Sequence, residues 1–346
     1  MPASMETQKF VKEELPYLVL RELYKDSRLS FQELGRKMKI SYHTVATVLK
    51  HIESEYGLVY TLDLNSKALG FSESRLLTVK FEKQPPLEFL KERLSKDPAI
   101  QDAYLTSGDF DLVLYIVEVN PSDVQSWLWK FRVDLSEYKP AVKVGTQGPT
   151  AIGFMPLRSD TIRYSSILSG TEKRVLAYLN DNSRARLGDV CKACKIDKPM
   201  HAVYIIKKLK AKGMIRRFST LVQNPDKKVL SVFTISLLPS KEHHKLFLKF
   251  IKELVKEDLH EVTSDYCFWN DTSGVFDALC ICTFKDGEHL LTRGPAGIRD
   301  LWASEGTRTE SAIITSCMVG RLPFHLEDYP GFRMHIEPER DISAST

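Results

Sequence analysis

No stretch of this 346-residue chain approaches the roughly 18 consecutive apolar residues that span a bilayer. Its first 14 residues, MPASMETQKFVKEE, lack the apolar core of a secretory signal and read as a short mobile leader. Neither a membrane protein nor an exported protein is therefore expected. Cysteine is missing from the whole first half: Cys191, Cys194, Cys267, Cys280, Cys282 and Cys317 all fall in the second, a distribution that suits reduced thiols in a cytoplasm better than a disulfide framework. Cys191 and Cys194 form the string CKAC, but no second CxxC completes a zinc set, so no metal is expected and small core residues account for them. P-loop, dinucleotide fingerprint, G-x-S-x-G elbow and H-E-x-x-H are all absent, and the scattered His and Glu residues form no catalytic set. Neither catalysis nor a cofactor is expected.

The net charge is small, +4, yet it is unevenly placed. Thr171 to Phe218 carries thirteen Lys or Arg against four acids, whereas Tyr17 to Val59 carries seven against five. The second stretch is thus a candidate polyanion surface and the first a much weaker one.

These two stretches also share a pattern. Placing Val19 over Val175 aligns Ser27-Arg28 with Ser183-Arg184, Leu34 with Val190, Ile40 with Ile196 and Gly57 with Gly213. SFQE (Ser30 to Glu33) and SGTE (Ser169 to Glu172) have the capping-box form that opens a helix. Beyond each stretch the hydrophobic period switches to that of strands. SRLLTVKFEK from Ser74 and KVLSVFTISLL from Lys228 are each followed by a helix, PPLEFLKERLSKD from Pro85 or KEHHKLFLKFIKELVKED from Lys241. Two strands joined at SGDFD (Ser107 to Asp111) or SGVFD (Ser273 to Asp277) come next, then a further helix and a last strand. The order β-α-β-β-α-β predicts a sheet with both helices on one face. The expected fold class is α+β: two winged helix-turn-helix units, 15–70 and 165–225, alternating with two ferredoxin-like (βαββαβ) domains, 71–155 and 226–325, with Gly153 to Leu168 as linker.

The second helix of a helix-turn-helix enters the DNA major groove, where its N-terminal side chains meet base edges and flanking cations meet phosphates. In the second unit that helix is DKPMHAVYIIKKLK, with Asp197 as N-cap. At 100° per residue it buries Pro199, Ala202, Val203, Ile206 and Leu209 and presents Met200, His201, Tyr204, Lys207 and Lys208. His201 and Tyr204 are expected to reach bases, and Lys198, Lys207, Lys208, Arg216 and Arg217 to hold phosphates. The counterpart SYHTVATVLKHIES is expected to bury Tyr42, Val45, Ala46, Leu49 and Ile52 and to present His43, Thr44, Thr47, Lys50 and His51.

The three-helix winged unit, the wing entry Arg216-Arg217-Phe218 and a βαββαβ domain with a Gly-x-Phe-Asp turn resemble the Lrp/AsnC (feast/famine) transcriptional regulators, twice over in residues 15–325. The resemblance implies sequence-specific binding of double-stranded DNA by paired winged helices. Members usually pair through their α/β domains, so two repeats in one chain imply an intrachain pseudo-dimer whose two sheets pack together, leaving room for a further homodimer. It also implies a small-molecule effector such as an amino acid, held near Gly108, Asp109 and Asp111 or near Gly274 and Asp277. A separate reading, drawn from the unequal charges of the two units, is a bridging factor that contacts the transcription machinery through one winged unit while the other holds DNA. Siroheme decarboxylases, which are similar in plan and work as paired related subunits, give the enzymatic alternative. They would use His and Arg side chains around a tetrapyrrole, and here His243, His244 and His260 sit in or beside one helix without such a cluster.

Overall fold

The computed structural model describes residues 15–71, 73–118, 124–152, 155–222, 229–236, 265–284, 286–293 and 308–321. The leader, the helix expected from Lys241 with its three histidines, and the latter part of the helix expected near Asp286 lie outside the described residues.

The described residues begin with three helices: α1 (Leu15–Lys25), α2 (Phe31–Met38) and α3 (Tyr42–Tyr56). Ser30 closes the expected capping box, its hydroxyl accepting from the Glu33 N–H at 3.2 Å while the Glu33 carboxylate accepts from the Ser30 N–H at 2.7 Å. Val19, Leu23, Leu34, Val45, Leu49 and Ile52 form the shared core of the three. Gly57, in the left-handed region at φ 62°, ends α3 and releases the chain into β1 (Leu58–Leu64). A second set begins at the Ser169–Glu172 capping box with α6 (Gly170–Asp181), continues through α7 (Leu187–Cys194) and α8 (Pro199–Ala211), and ends in β6 (Ile215–Val222).

The wings of the two sets pair with each other. β1 and β6 run antiparallel, with Leu62 opposite Phe218 and Asp63 opposite Arg217. Beside this ribbon the Ser27 and Ser183 hydroxyl oxygens lie 2.6 Å apart, buried, although 156 positions separate them in the chain. Leu62 and Phe218 have the same separation, so positions that the sequence alignment superposes meet one another here. Ser27, Thr61, Ser183 and Ser219 at this junction are small and hydroxylated, which allows close approach while each of these hydroxyls finds a partner. Ser219 donates to the Tyr24 carbonyl at 2.7 Å and Thr61 to the Asn180 carbonyl at 2.7 Å.

The remaining strands form one closed barrel rather than two sheets packed face to face. They are β2 (Ser74–Phe81), β3 (Ile100–Gly108), β4 (Leu112–Val117), β5 (Pro140–Ile152), β7 (Val229–Ser236), β8 (Asp265–Gly274), β9 (Ala278–Phe284) and β10 (Arg308–Val319), in the order β10-β3-β4-β2-β5-β8-β9-β7. Each half keeps the expected ferredoxin-like strand order. The edges β3 and β5 of the first half, however, pair with β10 and β8 of the second, so every open edge satisfies its hydrogen bonds on the other half. On one face of the first-half strands, Leu77, Leu112, Leu114 and Ile116 pack under α4 (Leu87–Ser95) and α5 (Val124–Asp134) through Leu90, Leu94, Leu128 and Phe131. Side chains of the opposite strand face, Tyr104, Val113, Tyr115, Leu279 and Ile281, join a continuous core with α6, α7 and α8. A short helix, α9 (Gly287–Arg293), follows β9.

The expected linker is a packed strap. Met155, Leu157, Ile162 and Leu168 are buried. Arg158 donates to the carbonyls of Ser95, Asp97 and Ile100 at 2.9–3.2 Å, and the Ser165 hydroxyl donates to the Leu69 carbonyl at 2.6 Å. Among the described residues, no helix is long and apolar enough to cross a membrane.

Candidate nucleic-acid interface

The turn into α8 is set by Lys195, a non-glycine residue at φ 55° whose N–H caps the end of α7 on the Cys191 and Lys192 carbonyls. Cys191 and Cys194, one turn apart on α7, are both buried. Lys39 makes the corresponding left-handed turn after α2 at φ 56°. The N-cap of α8 is Lys198 rather than the expected Asp197, because Pro199, with no N–H and a fixed φ, occupies the first helical position. Lys198 supplies no side-chain cap, whereas the Ser41 hydroxyl caps α3 by accepting the Thr44 N–H at 3.1 Å. The positive end of the α8 dipole is thus left without an acidic or hydroxyl partner on its own N-cap, a favourable place for a phosphate.

The outward face of α8 carries Met200 at 75% exposure and Tyr204 at 63%, with His201 and Lys207 exposed beside them and Lys198, Lys210 and Lys212 at its rim. The buried face is Ala202, Ile205, Ile206 and Leu209. Pro199 is exposed and Val203 half-buried, so the helix is rotated from the expected setting toward Ile205. On α3, His43, Thr47 and Lys50 are exposed and Thr44 is half-buried, its hydroxyl 2.9 Å from that of Ser41. Tyr42 is half exposed and packs on the Phe31 ring instead of entering the core, and Val48 is buried in its stead. The buried sets Val45, Val48, Leu49, Ile52 and Ala202, Ile205, Ile206, Leu209 superpose one position further along than the 156-residue offset. By that register His43, Thr44, Thr47 and Lys50 correspond to Met200, His201, Tyr204 and Lys207.

Two expected phosphate ligands are engaged inside the protein. Lys208 lies 2.7 Å from Glu172, the carboxylate that completes the α6 capping box. The Lys208 ammonium, with the Ser169 N–H, holds the Glu172 carboxyl down at about 2. Arg217 donates from Nε to Asp63 and from Nη2 to the Tyr24 hydroxyl, both at 2.9 Å, with its guanidinium 4.1 Å above the Tyr24 ring. Both depart from the expected phosphate role for one reason: each cation sits beside a carboxylate on a neighbouring element that pairing in sequence did not reveal. Arg216 keeps an exposed side chain, 3.8 Å from Asp63.

Arg28 and Arg184, unassigned from the sequence, lock the two helical sets together. Arg28 Nε donates to the Ser183 carbonyl at 2.9 Å, with its guanidinium 4.1 Å from the Phe218 ring centre. Arg184 Nη2 donates to the Leu29 carbonyl at 3.1 Å and lies 5.1 Å from the Tyr60 ring. The signal was present: Ser-Arg recurs at both aligned positions, although each residue contacts the other copy's surroundings rather than its own.

The candidate effector residues fall on the seams of the barrel. Gly108 (φ 150°) and Gly274 (φ 145°) bring their backbones so close to the neighbouring half that a Cβ would stand 2.5 Å from the Ser311 carbonyl oxygen and 2.4 Å from that of Val144. Asp109 accepts the Ser311 N–H at 2.8 Å across one seam. Asp111 accepts the Phe81 N–H at 2.8 Å and pairs with Lys80 at 2.9 Å, and the Asp277 N–H donates to the Ile235 carbonyl at 2.8 Å. These residues therefore hold the hairpins and seams in the structure as it stands.

Comparison with known proteins gives two kinds of likeness. Residues 3–70 match the model of the Mga helix-turn-helix domain. The HTH-type transcriptional regulator LrpC of Bacillus subtilis is 32% identical over 110 residues, 31% of this chain and 73% of LrpC. The HTH-type transcriptional regulator LrpA of Pyrococcus horikoshii is 32% identical over 101 residues, 29% of this chain and 70% of LrpA. Among solved structures, the siroheme decarboxylase NirDL aligns with a TM-score of 0.59 at 13% identity, covering 91% of this chain and 96% of the enzyme. That match corrects the expectation of a non-catalytic protein. The architecture, across almost its whole length, is one on which an enzyme is built, and missing sequence motifs did not reveal it.

Proposed function

Because this chain belongs to the Lrp/AsnC family of helix-turn-helix transcriptional regulators, we propose that it binds double-stranded DNA through α8 and α3, its two helix-turn-helix units forming an intrachain pseudo-dimer. The observation that carries this reading is the outward face of α8: Met200, His201, Tyr204 and Lys207 exposed on a helix whose N-terminus has no side-chain cap, rimmed by Lys198, Lys210 and Lys212. A major groove offers both phosphates for the lysines and apolar base edges for Met200 and Tyr204. The contacts between Ser27 and Ser183 and between Leu62 and Phe218 support the pseudo-dimer, since equivalent positions meet across a two-fold axis and not elsewhere.

The test is titration with random duplex DNA at several salt concentrations. Lys207→Ala should reduce the salt slope by about one and weaken binding to all sequences, as removal of a phosphate contact does. Lys208→Ala should leave the slope unchanged, because that ammonium faces Glu172. A slope near zero for the unaltered protein would overturn the DNA-binding reading.

The finer roles rest on the same frame. A small effector such as an amino acid would act at the barrel seams, where Gly108, Asp109 and Gly274 meet the other half and Asp111 and Asp277 lie in the adjoining hairpins. Contact of the less basic first unit with the transcription machinery, in place of DNA, is the competing role for α3. A tetrapyrrole-binding role is the second reading, favoured by the near full-length alignment with NirDL. Adding an iron porphyrin and recording its absorption separates the two: a saturable shift that competes with DNA supports tetrapyrrole binding.

A further inference from the structure

The two recognition faces occupy equivalent positions but are chemically unlike, and we infer that the DNA site of this protein is directional, with two different half-sites in place of a palindrome. The inference rests on the DNA-binding reading above. Operator palindromy mirrors a two-fold axis in the protein, so identical heads read identical half-sites. Here the axis is kept at the junction and broken at the heads. Ser27 against Ser183 and Leu62 against Phe218 fix the two units in one arrangement, and Arg28 and Arg184 each grip the opposite unit, so both heads present themselves together.

At the heads, α8 offers Met200, His201, Tyr204 and Lys207 where α3 offers His43, Thr44, Thr47 and Lys50. Met200 and Tyr204, one turn apart at 75% and 63% exposure, suit the apolar 5-methyl groups of thymines in the major groove. Thr47 on α3 presents a hydroxyl tied to its own helix, donating to the His43 carbonyl at 3.0 Å, and His43 presents a ring with hydrogen-bonding nitrogens. This face suits polar base edges. The surroundings differ in the same sense. Ser41 caps α3 while α8 has no side-chain cap, and Thr171 to Phe218 carries thirteen basic residues against four acids while Tyr17 to Val59 carries seven against five. The α8 half therefore contributes most of the phosphate attraction as well as an apolar code, and the α3 half contributes orientation.

The test uses the full chain and a library of random duplexes, selected by repeated binding and sequenced. The expected result is a motif with unlike halves. Met200→Ala with Tyr204→Ala should relax preference in one half only, and His43→Ala with Thr47→Ala in the other. All four side chains are exposed, and thermal melting of each variant checks that the fold is kept. Replacing thymine by uracil in the α8 half should weaken binding about four-fold per contacted methyl, the worth of one buried CH2 group, and should have no effect on the Met200→Ala, Tyr204→Ala variant. A palindromic motif, or the two double variants relaxing the same bases, would overturn the inference while leaving DNA binding intact. Failure of any sequence to enrich overturns both.

Discussion

Asp102 on β3 is fully buried, with one carboxylate oxygen accepting the Arg321 N–H at 2.9 Å and the other without a hydrogen-bond partner among the described residues. Burial pushes its pKa up to about 8, against the smaller opposing pull of the Arg321 N–H and of the Arg321 and Arg158 charges. The folded protein therefore keeps a proton that the unfolded chain releases above about pH 4. Stability should fall as pH rises from there to about 8 and level off beyond. Asp102→Asn, which holds a neutral side chain of the same shape, should flatten that fall, and urea denaturation at pH 5 and pH 8 measures it. Equal pH dependence in both proteins would show that Asp102 is ionised as in water. Glu172 has the opposite sign. Its carboxyl is held down by Lys208, so the stability it contributes is complete above the ordinary carboxylate range and lost as pH falls toward 2. Lys208→Ala should lower stability slightly at neutral pH, as for a partly exposed pair, and less at pH 3.

At the scale of elements, helices were legible where a local device starts them. Both capping boxes form as read, since Ser, two intervening residues and Glu close within one turn and need no distant partner. Cap identity failed at α8, where Pro199 set the boundary more firmly than Asp197 could. The faces of α3 and α8 were read correctly at Val45, Leu49, Ile52, Ala202, Ile206 and Leu209 and missed at Tyr42, Val48, Pro199, Val203 and Ile205. The miss is physical: Tyr42 can stack on Phe31, and Ile205 can reach the core, only after neighbouring elements are in place. The wing ribbon was not legible, because β1 pairs with a strand more than 150 positions away. A prediction belongs here. Arg28→Ala combined with Arg184→Ala removes two hydrogen bonds to the opposite unit and three ring contacts while leaving each three-helix core untouched. Affinity for a two-half site should fall more than affinity for a single half-site, measured on the same variant by fluorescence anisotropy.

For the whole molecule the decisive feature is the closed barrel. Its two seams, the packed strap from Met155 to Leu168 and the ion pair of Lys143 with Glu310 at 2.5 Å bind the halves over many hydrogen bonds. Calorimetry should accordingly show one cooperative unfolding transition, not a separate one for each half. Gly274→Val, which places a branched side chain where even a Cβ would stand 2.4 Å from the Val144 carbonyl oxygen, should open one seam and lower the melting temperature by several degrees. A second, well-separated transition in the unaltered protein would show that the halves fold independently.

The sequence by itself determined what depends on short spacing: the helices and their two capping boxes, the strand alternation, the ferredoxin-like order within each half, and the recognition-helix candidates, because each follows from residues a few positions apart. Tertiary structure alone decided which cations meet a carboxylate, as Lys208 meets Glu172 and Arg217 meets Asp63, and how the two halves close. Those outcomes depend on which carboxylate or strand edge arrives opposite a side chain, and that is fixed only once elements over a hundred residues apart are brought into contact.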